Sequence, residues 1–376
     1  MAITLECVTS RDRLAEIAAS WQALWLRSGS DIFQHHRWID TWAEQTADRR
    51  DTRLRVMLAW QSEQLVAILP CAIRRVRGLR TLQWAAQDFS DYCDAIVDPD
   101  TDWRTALDAL WTQLLRRGEI DLVQLRQVRP DARVRRLLAR ESSALRVEDR
   151  HEQCLRIDCS WPNGEAYFRS LNKKGRNNHT RGKRIIEEIG GTAVFRRIEA
   201  AEDQCPALDR LLELKRGWMQ KHDPNSPLLG RDAALLRAMM ETSLAIGMGT
   251  IFVIESGGVI VAASLNFLYD AKMQAYHTSY DPAFDRASPG TILIVEYSKW
   301  AFDRGLRHVD FLRGDETFKF RLGNAETLLD GFSGGRSVVG HAALLVRDWR
   351  ERVRRSRRPA VDEQTLSGVE PSLDGR

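Results

Sequence analysis

Apolar and polar positions alternate along the chain in two runs of similar order. In the first run, "RLRVMLAW" (53–60) and "QLVAILPCAIRRV" (64–76) have the apolar density of sheet strands, and "RTLQWAA" (80–86) and "DYCDAIV" (91–97) continue them. A helical repeat follows from Trp103 to Arg117, stops at Gly118, and leads into the strand "IDLVQLRQV" (120–128). The second run has strands at "TIFVIES" (250–256), "VIVAASLNFL" (259–268) and "MQAYHTSY" (273–280). A helix from Pro289 to Arg304 then stops at Gly305, and "HVDFLRG" (308–314) comes next. Both helices carry a tryptophan near the end (Trp111, Trp300), finish in Arg-Gly, and precede a strand with an aspartate among apolar residues (Asp121, Asp310). Hairpin, strand, helix, strand, written twice, predicts an α/β (α+β) protein of two units built on mixed sheets. The expected boundaries are 1–150 and 151–340, followed by an arginine-rich helix and a disordered tail over 341–376.

Between the runs lies a basic segment. Residues 172–184 hold Lys173, Lys174, Arg176, Arg181, Lys183 and Arg184 with no acid, and "RIIEEIGG" closes the helix on Gly190 and Gly191. Such a run is either a solvated helix face or a patch for a phosphorylated partner. No aromatic residue stands between Phe168 and Phe195, which counts against a general nucleic-acid surface.

Composition narrows the classes. A net charge of +4 over 376 residues does not call for nucleic acid, and 43% hydrophobic with 29% charged residues is ordinary for a globular chain. Only eight of the 56 basic residues are lysine, so each lysine carries more information than usual. The longest apolar run, "LVAILPCAI" from Leu65, is nine residues and contains Pro70, too short to span a bilayer. The start "MAITLECVTSRDR" lacks the basic and apolar blocks of a signal peptide, so the expectation is a cytoplasmic protein with reduced cysteines. Cys154 and Cys159, five apart on a strand, point to opposite faces, and His35-His36 lacks a third ligand, so no metal site is expected.

The stretches "FQHHRWIDTW", "NKKGRNNHTRGKRIIEEIGGTAVF" and "SYDPAFDRASPGTILIVEYSKWAFDRGLRHVDFLRGDETFKFRLG" resemble the GNAT-type acyltransferases of the cellulose-biosynthesis (CelD/BcsL-like) group, which are related to FemAB-type peptidyl transferases. The resemblance covers most of residues 30–335. It implies tandem GNAT folds, with acyl transfer in the second copy and a role in polysaccharide biosynthesis. The donor would be acyl-CoA, acetyl-CoA foremost, and the acceptor an amine or hydroxyl of a sugar or polysaccharide precursor. The FemAB relation leaves aminoacyl-tRNA as an alternative donor. A non-catalytic module binding phosphorylated glycan or nucleic acid is the alternative from another class. Phe318 stands where the family pattern has tyrosine.

Candidate residues follow from chemistry in that frame. A pyrophosphate suits a helix N-terminus, where free N–H groups and the dipole favour an anion. Ser288 is expected to cap the helix, Pro289 suits its first position, and Gly290 admits a phosphate to the backbone. Arg286 and Thr291 flank the same turn. The matching helix of the first run begins "DPDTDW", where Asp98, Asp100 and Asp102 would repel a phosphate. In "MQAYHTSYD" the alternation sets His277 opposite Tyr276 and Tyr280; His277 is the candidate base, and Tyr280 or Tyr276 the acid for the leaving thiolate. Asp310 shares a face with His308 and Leu312, and a strand acid needs either a buried partner or a catalytic task. After Gly314, Asp315 is expected to cap a short helix ended by Gly323. Lys319 would emerge from it, paired with Asp315 or presenting its ammonium to the acyl carbonyl or to an acceptor phosphate. Lys173, Lys174, Arg176 and Arg181 are assigned to the acceptor.

Overall fold

The computed structural model describes residues 3–116, 118–148 and 151–356; the expected tail beyond residue 356, and Arg117 at the end of the first predicted helix, lie outside the described residues. The strands of the first half are β1 (Ile3–Val8), β2 (Thr52–Gln61), β3 (Gln64–Val76), β4 (Leu79–Trp84), β5 (Ile96–Val97), β6 (Leu122–Val128) and β7 (Arg146–Val147). Those that follow are β8 (Glu152–Asp158), β9 (Ala193–Ile198), β10 (Gly249–Ser256), β11 (Val259–Tyr269), β12 (Lys272–Tyr280), β13 (His308–Arg313) and β14 (Ala325–Gly335). One path of hydrogen bonds runs β1-β2-β3-β4-β6-β14-β8-β13-β12-β11-β10-β9, with β5 on β3 and β7 on β14. The mixed α/β architecture expected from the sequence is the one observed.

The long apolar strands need cover on both faces, and three core clusters supply it. The outer cluster of the first half packs the helix Trp103–Arg116 on β2, β3 and β6. The outer cluster of the second half packs the helix Pro289–Asp303 on β10 to β13. The middle cluster is shared by both halves: Trp21, Phe33 and Trp38 meet Leu208, Met239 and Phe267. "FQHHRWIDTW" belongs to this interior. From His36 it forms most of the helix His36–Gln45, of whose ten residues seven are buried. His36 Nε2 lies 2.8 Å from the Leu14 carbonyl, and burial takes His35 down to about 4. Pro70 is tolerated inside β3 because the strand changes partner there, from β5 at Ala67 and Ile68 to β4 from Cys71 onward.

β14 joins the halves. Its residues 325–329 pair with β8, and 330–335 pair with β6. Its sequence, "AETLLDGFSGG", is too rich in glycine and polar residues for the apolar pattern to predict a strand. "DYCDAIV" reads as a strand but contributes only Ile96 and Val97; the residues before them form a connecting segment. The two aspartates are not equivalent either. Asp121 lies just before β6 and accepts from the Arg80 guanidinium at 2.9 and 3.0 Å, whereas Asp310 lies inside β13. What does repeat is backbone shape: Gln127 in β6 and Leu312 in β13 both have left-handed φ, +58° and +55°.

Candidate functional site

β12 and β13 run parallel but pair over only three positions, Lys272–His308 to Gln274–Asp310, and then diverge. A bulge in β12 adds to the opening. Ala275 pairs with Asn266 and His277 with Leu265, which leaves Tyr276 as an extra residue without a ladder partner. The predicted alternation therefore breaks at Tyr276, and Ala275, Tyr276, His277 and Thr278 all line one cavity of about 310 Å³ in the mouth of the V. Phe311, Leu312 and Arg313 form the β13 wall, Tyr297 the floor, Asp88, Phe89 and Asp91 of the first half the facing wall. Lys215, Glu316, Phe318 and Lys319 complete it.

His277 is half-buried in this wall, its ring against Tyr276. Burial, with Lys215 and Arg313 close by, holds its imidazole well below the usual value, so it is neutral at pH 7. Tyr276 is not free to act as an acid: its hydroxyl donates to the Phe89 carbonyl at 2.9 Å. Tyr280 lies outside the cavity, donates to Asp285 at 2.8 Å, and packs its ring 3.1 Å from where a Cβ on Gly290 would sit. Tyr297 is the other tyrosine in the V. Its buried hydroxyl, beside Thr278, meets no partner in hydrogen-bonding geometry among the described residues. An aromatic inside the apolar helix "PGTILIVEYSKWAFD" reads as core, which is why nothing in the sequence singles it out.

Asp310 does not face the cavity. It accepts from the Tyr92 hydroxyl at 2.7 Å, from across the interface between halves, and from the Leu312 N–H at 2.8 Å, which fixes the turn of β13 at its left-handed residue. Burial pushes its carboxyl up to about 6, against these two hydrogen bonds. Asp310 has the buried-partner explanation.

Lys319 is buried, not emergent. Its helix, Thr317–Leu322, starts after Glu316, and Asp315 makes no cap. The ammonium donates to the Arg313 carbonyl and lies 2.9 Å from Glu316, not Asp315. Gly314, at φ +130°, leaves the room this cluster fills: a Cβ there would collide with the Glu316 carboxylate and come within 2.7 Å of Lys319 Nζ.

On the other side of Phe318 lies a second cleft, of about 590 Å³, between the basic helix Lys173–Gly190 and the start of the helix Pro289–Asp303. It collects Lys174, Arg181, Arg286, Ser288, Thr291 and Arg321, and no acid lines it among the described residues. Among the described residues none of the side chains of Lys174, Arg181, Arg286 and Arg321 has an ion pair or hydrogen bond. Lys174 and Arg181 thus share one place with Arg286, instead of forming an acceptor site apart from it. Arg176 is spent on the preceding helix, donating to the Arg169 and Leu171 carbonyls, and Lys173 is exposed outside the cleft lining.

The basic helix is seated by Glu296, whose Oε1 is 2.9 Å from His179 Nε2 and 3.7 Å from Lys183 Nζ. Burial alone would raise Glu296, but these groups and Lys299 take it down to about 2. Gly182 permits the close approach: an alanine Cβ there would meet the Ala287 carbonyl at 2.5 Å and Ile292 Cδ1 at 2.7 Å.

The helix start differs from the expected cradle. Ser288 has φ +53° and its hydroxyl caps nothing. Pro289 has no N–H, and the Thr291 and Ile292 N–H groups are taken by the Ser288 carbonyl at 3.0 and 3.2 Å. What this cleft offers an anion is chiefly its side-chain cations, with the helix dipole behind them. Arg321 lies in a segment whose sequence draws the eye to Lys319, and only the fold brings it to the cleft.

Residues 173–320 match the family model described as an acetyltransferase (GNAT) domain, and with that domain the protein is an acyltransferase enzyme. The fold is a tandem GNAT fold. It is similar to the crystal structure of FemX (11% identity, 89% of this chain and 97% of that chain, TM-score 0.58). A tandem GNAT protein from the clavulanic acid biosynthesis pathway matches at 12% identity, 89% and 99% coverage and a TM-score of 0.53. L-PGS from Bacillus licheniformis matches at 11%, 89% and 96%, with a TM-score of 0.51. No relative is found among curated proteins. Among the described residues no group of three or more His, Cys, Asp or Glu side chains is arranged to hold a metal ion, and no helix is long and apolar enough to cross a membrane.

Proposed function

We propose that the protein moves an acyl group from acyl-CoA, acetyl-CoA foremost, to an amine of a small acceptor in the second half of the chain. One observation carries the donor. Among the described residues, the cleft between the basic helix and the helix Pro289–Asp303 is lined by four uncommitted cations and no acid, and it abuts the V through Phe318. The phosphates of CoA suit Lys174, Arg181, Arg286 and Arg321, and the pantetheine then leads past Phe318 to set the thioester between β12 and β13. There the acceptor nitrogen attacks the carbonyl, and His277 takes the proton that nitrogen sheds. The oxyanion faces the bulge, where Tyr276 contributes a backbone N–H outside the ladder. The C–S bond breaks and Tyr297 returns a proton to the thiolate. Such a reaction fits a cytoplasmic protein, and an amino sugar of a polysaccharide precursor is an acceptor in keeping with the CelD/BcsL-like resemblance.

The test is a thermal-shift and calorimetric titration with acetyl-CoA, CoA and aminoacyl-tRNA. Acetyl-CoA at 100 times its dissociation constant adds about 2.7 kcal/mol of stability. Stabilisation by aminoacyl-tRNA with none by acetyl-CoA or CoA would transfer the donor role to RNA and sink this reading.

A further inference from the structure

The cavity in the V holds three cations among the described residues, and two of them are committed. Arg313 donates to Asp91 and, at 3.0 Å, to Glu152. Lys319 is held by Glu316 and the Arg313 carbonyl. Lys215 is different. It comes from the helix Ala201–His222, is half-buried at the cavity wall, and makes no hydrogen bond or ion pair among the described residues. Burial lowers its pKa, against the attraction of the Glu316 carboxylate, which is itself paired to Lys319 and makes no ion pair with Lys215. It shares the cavity lining with the apolar Leu228 and Leu236, and the charged or titratable groups that feel it are Glu316 and the neutral His277. Of the acids that line the same space, Asp91 and Glu316 are paired to Arg313 and Lys319, and Asp88 to Arg74.

We propose that Lys215 receives the carboxylate of the acceptor, so that the substrate class is a small amine bearing one carboxylate, an amino acid or an amino-sugar acid. The proposal rests on the acyltransferase reading above. One uncommitted cation among the described residues matches a single negative charge, and three lining carboxylates oppose a phosphate dianion. The volume, about 310 Å³, suits a molecule of that size with its amine turned to the thioester, and the donor phosphates have their own acid-free cleft. Lys215 would then hold the acceptor in position, while His277 handles the proton.

The experiment uses matched pairs that differ only in the charge: glycine, alanine, leucine and phenylalanine against their amides, and 2-amino-2-deoxyglucuronic acid against glucosamine. Binding is measured by calorimetry on the full chain, and turnover with acetyl-CoA by thiol release. At least one acid is expected to bind about 10- to 100-fold more tightly than its neutral partner, the range of one charged hydrogen bond. The pair that discriminates separates the amino-acid source from the sugar source. Lys215→Met is expected to raise the KM of the acid by the same factor, leave the neutral partner and acetyl-CoA binding unchanged, and so erase the discrimination. Lys215→Arg is expected to restore part of it, which loss of packing alone would not allow. Acid and neutral members binding alike, no acid binding, or discrimination surviving in Lys215→Met would each overturn the proposal. Failure of acetyl-CoA to bind the wild type would overturn the donor reading instead, and the acid-to-amide ratio from calorimetry stands apart from it.

Discussion

Replacing Asp310 by asparagine separates a structural acid from a catalytic one. The amide keeps the shape, can still accept from the Leu312 N–H, and can donate to the Tyr92 oxygen in place of accepting from it. The wild-type carboxyl has a folded pKa of about 6, raised by burial, against about 3.9 in an unfolded chain. Between those values the folded state holds a proton that the unfolded state has lost. Stability from this group therefore falls as pH rises from about 4 to about 6 and is level above that. The difference corresponds to about 3 kcal/mol. Over 376 residues, unfolding entropy of about 2.1 cal/mol/K per residue sums to about 0.8 kcal/mol/K, so the effect is worth roughly 4 °C. The assay is a set of melts at pH 4, 5, 6, 7 and 8 on both proteins. The quantity read is the Tm difference between them, which cancels every other titrating group. Asp310→Asn should gain about 4 °C on the wild type between pH 4 and pH 8, and keep most of its turnover. A flat difference across the range, with turnover lost, would refute the burial account and return Asp310 to the chemistry.

Gly182→Ala should push the basic helix off the Ala287 carbonyl, cost about 1–3 kcal/mol as overpacking does, and weaken acetyl-CoA binding in calorimetry; an unchanged melt and affinity would mean that the cleft is not that tight. Arg181→Gln with Arg286→Gln should weaken acetyl-CoA by about 10- to 100-fold per lost charged contact and flatten its salt dependence, and equal affinity would put the phosphates elsewhere. Lys319→Met should lower Tm as well as turnover, since it strands a buried carbonyl at about 1–3 kcal/mol; a normal melt with turnover about 100-fold down would instead make its ammonium a contact to the reacting carbonyl. Tyr297→Phe should slow thiol release with acetyl-CoA affinity kept, and normal release would remove it as the acid.

The strands with unbroken apolar runs are legible, because burial on both faces leaves a strong pattern: Gln64–Val76 agrees to the residue. The helix Pro289–Asp303 and its stop are legible from proline and glycine chemistry. Residues whose role depends on distant partners are not. Asp310 is explained by Tyr92, 218 positions away, and no local pattern contains that pair. Lys215 sits on a helix where a lysine reads as surface, and only the fold brings it to the wall of the cavity. The bulge at Tyr276 depends on the register with Asn266 and Leu265, so an alternation count over one strand assigns every later residue to the wrong phase. The role of Lys174 and Arg181 turns on Gly182, which in sequence is merely a weak helix former.

The two halves explain each other at the V. β4 and β6 also pair over a short stretch, Thr81–Leu122 and Leu82–Val123, and β6 has its own left-handed residue at Gln127. That first opening is filled by its own chain: the Cys93 N–H donates to the Gln127 carbonyl at 2.9 Å, and the Gln87 side chain accepts from the Arg126 N–H at 3.1 Å. Asp94, raised to about 6 by burial despite its hydrogen bonds, caps the Arg133 and Val134 N–H groups behind it. The segment that plugs the first V then presents Asp88, Phe89 and Asp91 to the second, where they form the facing wall of the cavity, while Tyr92 reaches Asp310. Asp98 at the first helix start is likewise engaged internally, paired with Arg27 at 3.0 Å and accepting from the Gln64 amide at 3.0 Å. One copy of the fold has closed its opening with side chains and acids that a phosphate donor would avoid. The other keeps its opening and its cations, and depends on the closed copy for a wall. A second half produced alone would lose that wall and the middle core with it, so the tandem arrangement is a requirement of the site and not a duplication of it.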